Sequence, residues 1–128
     1  MNFLLDTCVF LWIVTDAPEL SQRARDAFED PENSVFLSAV STWEISVKHS
    51  LGRFPLPELP QTYIPRLRQT HGIESLSLDE ESTLHLGRLP DLHRDPFDRM
   101  LICQAIVGGL VILTPDNSIL QYPVRFLW

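Results

Sequence analysis

Asp6, Glu44, Asp98 and Asp116 lie far apart in the chain, yet each sits where an apolar strand-like run hands over to a helix, or on the helix that follows. In a parallel α/β sheet, the carboxyl ends of the strands and the starts of the following helices share one edge, where the ligand crevice lies. That placement gathers the four acids into one expected site. Two ionised carboxylates about 5 Å apart repel by roughly 3 kcal/mol at an effective dielectric of ~20, and four repel several times over. A divalent cation relieves such crowding, and oxygen-only ligands point to Mg2+ or Mn2+. Zinc is disfavoured, because His49, His71, His85 and His93 show no paired spacing.

Each acid also has a local explanation. Asp6 precedes a helix and suits an N-cap. Glu44 falls at the margin of the stripe Val40, Trp43, Val47 and Leu51. If the helix starts at Ser41, the glutamate closes a capping box, and it can also pair with Lys48. If the helix starts at Ser38, the acid faces the crevice instead. Asp95, before Pro96, looks like a structural cap, with Asp98 one turn inside the helix, where it would also complement the dipole. Turn chemistry alone could explain Asp116 in Thr114-Pro115-Asp116-Asn117. Thr7 adds a hydroxyl beside Asp6. Lys48, Arg94 and Arg99 are candidates for holding backbone phosphates, with a merely solvated face as the alternative.

The elements that must position these groups alternate. Strands are expected at Phe3 to Leu5, Val35 to Leu37, Ile73 to Leu76, Leu110 to Leu113 and, as a last edge, Val124 to Leu127. Between them come helices over Thr7 to Val14, Ser21 to Phe28, Ser38 or Ser41 to about Leu51, a segment ending near His71, Asp79 to about Leu86, and Pro96 to Val107. Pro65 is expected to limit how early the helix reaching His71 becomes regular. Leu89 to Arg94 is a loop, and a short helical turn holds Ile119 and Leu120. The pattern implies an α/β fold with a central, mostly parallel sheet of about five strands and helices on both faces.

The 128 residues fit one domain, 1–128, and a hydrophobic share of 45% supplies a core. The net charge of −7 argues against binding nucleic acid through a broad basic face, so any such contact must be local and metal-assisted. Cys8 and Cys103 lie in apolar helical patterns and are expected to be buried and free. No run is apolar enough to span a bilayer, and the chain opens on a strand with no basic region before it, so a cytoplasmic, non-membrane protein is expected. There is no Gly-x-Ser-x-Gly elbow and no Gly-rich phosphate loop.

Leu4-Leu5-Asp6-Thr7 through Trp12, Ser41-Thr42-Trp43-Glu44-Ile45 with Lys48, His93 to Arg99 with Leu101-Ile102, and Thr114-Pro115-Asp116 occur in the order seen in one family. Over nearly its whole length the chain resembles PIN-domain ribonucleases of the VapC type, the toxins of bacterial toxin–antitoxin pairs. The resemblance implies an acidic quartet of Asp6, Glu44, Asp98 and Asp116, with Thr7 as a polar helper. It also implies Mg2+ or Mn2+, and cleavage of RNA to a 5′-phosphate and a 3′-hydroxyl. The implied partners are an antitoxin that wraps an apolar groove and a second copy of the chain. Trp12, Trp43 and Phe97 would suit that groove, although core packing is the expectation for each. Two other readings stay open. One is a haloacid-dehalogenase-like phosphatase with Asp6 as nucleophile, which lacks its second acid because position 8 is Cys8. The other is an interaction module whose acids are only caps and turn residues.

Overall fold

The sheet is built outward from its first strand. Asn2–Leu5 (β1) pairs in parallel with Ser34–Ser38 (β2) on one side and with Val111–Leu113 (β4) on the other. Glu74–Leu76 (β3) and Phe126–Leu127 (β5) complete a five-stranded sheet in the order β3-β2-β1-β4-β5, with every pairing parallel. The computed structural model describes all residues, Met1–Trp128.

Parallel strands need crossover connections, and helices supply them. Thr7–Val14 (α1) and Gln22–Glu29 (α2) lead from β1 to β2, and Ala39–Ser50 (α3) and Pro60–Thr70 (α4) lead on to β3. Glu80–Leu84 (α5), a 3-10 turn over His85–Arg88 and Pro96–Gly108 (α6) lead to β4, and Asn117–Leu120 (α7) precedes β5. Ser21 and Asp79 cap α2 and α5 through their side chains, as expected from sequence. Gly109 ends α6 in the left-handed conformation at φ 64°, which costs glycine no Cβ clash.

Successive strand residues point to opposite faces, so the sheet divides the core in two. Phe3, Leu5, Val111 and Leu113 pack with Val9, Phe10 and Ile13 of α1 on one face. Leu4 and Ile112 pack with Leu101, Ile102 and Ala105 of α6 on the other. Fully burying one such side chain contributes about 1.5–3 kcal/mol, and both faces of β4 are covered, which is why its sequence is apolar without alternation.

Several local expectations change. The helix expected from Asp79 to Leu86 breaks after Leu84 into a tighter turn that contains Gly87, a poor helix former. Pro65 lies inside α4 rather than delaying it, because the helix has already begun with Pro60 in its first turn and Pro65 faces solvent. Cys103 is buried and free as expected, but Cys8 is only half-buried. Trp43 is 56% exposed, Trp12 and Phe97 are half-buried, and none of the three belongs to the fully buried core. Trp43 stands on the outer side of α3, and its ring meets Phe97 edge-on at 4.8 Å. No helix is long and apolar enough to cross a membrane.

Candidate active site

The strand order turns outward in both directions from β1 and β4, and a crevice forms beyond the carboxyl ends of strands at such a reversal. Asp6 follows β1 directly. Thr114 and Asp116 follow β4. The Asp6 side chain makes no capping bond to α1. Its Oδ2 instead accepts from the Thr114 hydroxyl at 2.7 Å and from the Cys8 thiol at 3.6 Å. Asp6 is 4% exposed, and burial pushes its carboxyl above the usual range. The Thr114 hydroxyl opposes that rise, and the charge of Asp116 adds to it. Burial likewise pushes the Cys8 thiol up, so it acts as a proton donor to Asp6 and not as a thiolate.

Asp116 is half free. Its Oδ1 caps α7 by accepting from the Ser118 amide at 2.9 Å, and its own amide donates to Thr114 Oγ1 at 3.0 Å. Asp95 is the cap expected of it, accepting from the amides of Phe97 and Asp98. Asp98 is therefore held at the first turn of α6, its side chain 13% exposed, with Oδ2 at 3.1 Å from His93 Nε2. Its carboxyl is pushed up to about 7. Burial is the main cause, followed by the Asp95 charge; the His93 hydrogen bond opposes the rise, and Asp6 and Asp116 add to it. Asp6, Asp98 and Asp116 thus lie within electrostatic reach of one another.

Glu44 joins this group through Thr7. Helix α3 starts at Ser38, whose Oγ accepts from the Val40 amide, so no capping box forms and Glu44 lies beyond the first turn. The glutamate is buried, with Oε1 accepting from the Thr7 hydroxyl at 2.6 Å and Oε2 paired with Lys48. Thr7 also shares a 2.9 Å hydrogen bond with Ser41, so its hydroxyl serves Glu44, while its backbone amide helps to lower the carboxyl of its neighbour Asp6. Burial opposes the charge on Lys48, but Glu44, Asp95 and Asp98 together hold its ammonium above its ordinary range.

No three acidic, histidine or cysteine side chains close on one point as a complete ligand set. An ion that keeps much of its water needs fewer protein donors than such a set. Mg2+ does so, binding through one or two carboxylates. The buried acids need positive charge, and the Lys48 ammonium already supplies some of it.

The remaining basic candidates separate. Arg94 is exposed. Arg99 is spent inside the fold: the two protons of its Nη1 go to the Pro90 carbonyl and the Tyr122 hydroxyl, each at 3.0 Å, with the His93 carbonyl sharing one of them at 3.3 Å. Thr114, His93 and Tyr122 were not among the sequence candidates. Thr114 adjoins the acid-bearing turn, and His93 stands five residues before Asp98, but nothing in the pattern ties Tyr122 to either.

The PIN domain family model matches residues 3–124. This chain belongs to the PIN-domain family. Among curated relatives, ribonuclease VapC16 of Mycobacterium tuberculosis is 36% identical to this PIN domain over 69 residues, covering 54% of the chain and 49% of that protein. The chain thus matches about half the length of this relative. Among solved structures, the VapBC2 complex of Rickettsia felis, bound to a DNA fragment from its promoter, superposes with a TM-score of 0.75 at 15% identity over 99% of this chain and 98% of that one. DNA-bound VapBC of Salmonella typhimurium gives a TM-score of 0.70 at 19% identity over 99% and 97%. Those two likenesses speak for the PIN fold.

Proposed function

We propose that this PIN domain is a Mg2+- or Mn2+-dependent endoribonuclease and the toxin of a toxin–antitoxin pair. The observation that carries this reading is that the charges of Asp6, Asp98 and Asp116, from three separate parts of the chain, act on one another beside the reversal point of the sheet.

Asp6 would be the principal ligand, with Asp98 and Asp116 binding the ion directly or through water. When bound, the ion supplies positive charge that activates an attacking water and stabilises the leaving oxygen. The chain's own residues set the geometry. Thr114 fixes the Asp6 carboxylate, and the α7 cap leaves Asp116 one oxygen for the site. Both Glu44 oxygens are engaged, so Glu44 acts by holding Thr7 and Lys48 in place. Lys48, close to Glu44 and Asp98, and the exposed Arg94 meet the backbone phosphates. In-line attack by water leaves a 5′-phosphate and a 3′-hydroxyl.

The proposed partners are an RNA substrate, a cognate antitoxin and a second copy of the chain. The similar structures are named as VapBC complexes, and the exposed Trp43 beside Phe97 offers an antitoxin an apolar foothold at the rim of the site. The phosphatase alternative has Cys8 where its second acid would stand, with a thiol rather than a carboxylate facing Asp6.

The test is cleavage of structured RNA with Mg2+ or Mn2+ by the wild type, Asp6→Ala and Asp98→Ala. The reading expects metal-dependent cleavage by the wild type alone. Equal activity in all three proteins contradicts it.

A further inference from the structure

His93 and Tyr122 lie outside the acidic quartet, yet they decide how one member of it is held. The Tyr122 hydroxyl oxygen faces three nitrogens: the His93 amide at 3.1 Å, Arg99 Nη1 at 3.0 Å and His93 Nδ1 at 2.7 Å. An amide and a guanidinium donate in every state, whereas a phenol oxygen accepts through two lone pairs and gives one proton. Both lone pairs are therefore taken, and the phenol proton is left for Nδ1, which must accept it. A doubly protonated ring would direct three donors at two lone pairs. Tyr122 is 4% exposed, so little water is present to relieve such a conflict. A ring that accepts at Nδ1 carries its proton on Nε2, and Nε2 lies 3.1 Å from Asp98 Oδ2.

We infer that Tyr122 and His93 are positioning residues: Tyr122 fixes the tautomer of His93, and His93 in that form donates to Asp98 Oδ2, leaving Oδ1 as the oxygen presented to a divalent cation. Asp98 Oδ1 has no hydrogen-bond partner within the chain. The purpose of this arrangement rests on the proposed cation site, but the tautomer does not. Arg99 serves the same assembly, tying the loop that carries His93 to the Tyr122 oxygen by giving one Nη1 proton to the Pro90 carbonyl and the other to Tyr122.

The ring nitrogens of His93, read by two-bond proton–nitrogen NMR on the labelled, metal-free chain, test the first step. A proton on Nε2 with bare Nδ1 is expected. The Nδ1–H tautomer, or a doubly protonated ring, overturns the inference.

Mn2+ affinity tests the second step. His93→Ala is expected to weaken it roughly 10–100-fold, the usual cost of losing a group that orients a ligand, whereas His93→Gln, whose amide donates from the Nε2 position, stays near wild type. Tyr122→Phe should weaken Mn2+ binding with histidine at position 93 but not with glutamine there. An equal loss in both backgrounds assigns Tyr122 a merely structural role and overturns the inference. Absence of Mn2+ binding in every protein, wild type included, defeats the nuclease reading instead, and the ring spectrum still decides the tautomer.

Discussion

Thr114 and Asp6 are 108 positions apart in sequence, and the hydroxyl of one donates to the carboxylate of the other across 2.7 Å. This bond joins the ends of the two central strands and holds the most buried acid of the site. Thr114→Val keeps the shape and removes the donor. A lost hydrogen bond to a buried charged group costs about 1.5–3 kcal/mol, so urea unfolding should register a loss of that size, with weaker Mn2+ binding. Thr114→Ser should restore both. A valine variant as stable as wild type would show that the bond does not hold Asp6.

Burial and neighbouring charge raise the Asp98 carboxyl to about 7, and Asp6 is raised in the same sense. An unfolded aspartate releases its proton near ~4, so above that pH the folded, metal-free chain binds more protons than the unfolded one. The contribution is full below the unfolded value and is lost as pH rises through about 7. Between about pH 5 and pH 8 the Tm of the metal-free wild type should therefore fall by several degrees more than that of Asp98→Asn. Equal falls in the two proteins would contradict the raised carboxyl.

Much of this arrangement was legible in the sequence, for identifiable reasons. The unbroken apolar runs around Leu4 and Ile112 marked the central strands, and each is followed by a turn that carries an acid. Sequence left undecided whether Asp6 caps its helix, because that depends on Thr114 at the far end of the chain. The Ser38 start of α3 was one of two open choices, and the packing of Glu44 against Thr7 is consistent with it. Helical periodicity placed Trp43 on the buried stripe, whereas the stripe turns inward along Val40, Ser41, Glu44 and Ile45 and leaves the indole outside. The roles of His93 and Tyr122 depend on a contact between residues 29 apart in sequence, across α6, β4 and α7, which no local pattern encodes.

The exposure of Trp43 makes a stability contrast along one helix. Ile45, fully buried, should cost about 2–5 kcal/mol when cut to alanine. Trp43→Ala should cost no more than about 1 kcal/mol in urea unfolding, the range of surface changes with a single aromatic neighbour. Comparable losses at both positions would place the indole in the core after all.

Arg94 and Arg99 should also part company. In an Asp6→Asn background that prevents cleavage, Arg94→Ala is expected to weaken RNA binding and flatten its salt dependence while leaving unfolding unchanged. Arg99→Ala should instead lower stability by about 1–3 kcal/mol, because it strands buried acceptors around Tyr122. RNA binding filter assays and urea melts read the two effects. Identical behaviour of both variants in both assays would erase the distinction.

The gathering of distant acids into one cation site is tested most directly by calorimetric titration of Mn2+ into the metal-free wild type, Asp6→Asn, Asp98→Asn and Asp116→Asn. The account predicts saturable binding by the wild type and a clear loss of affinity in each variant, greatest for Asp6→Asn. Binding of equal strength in all four proteins would contradict it.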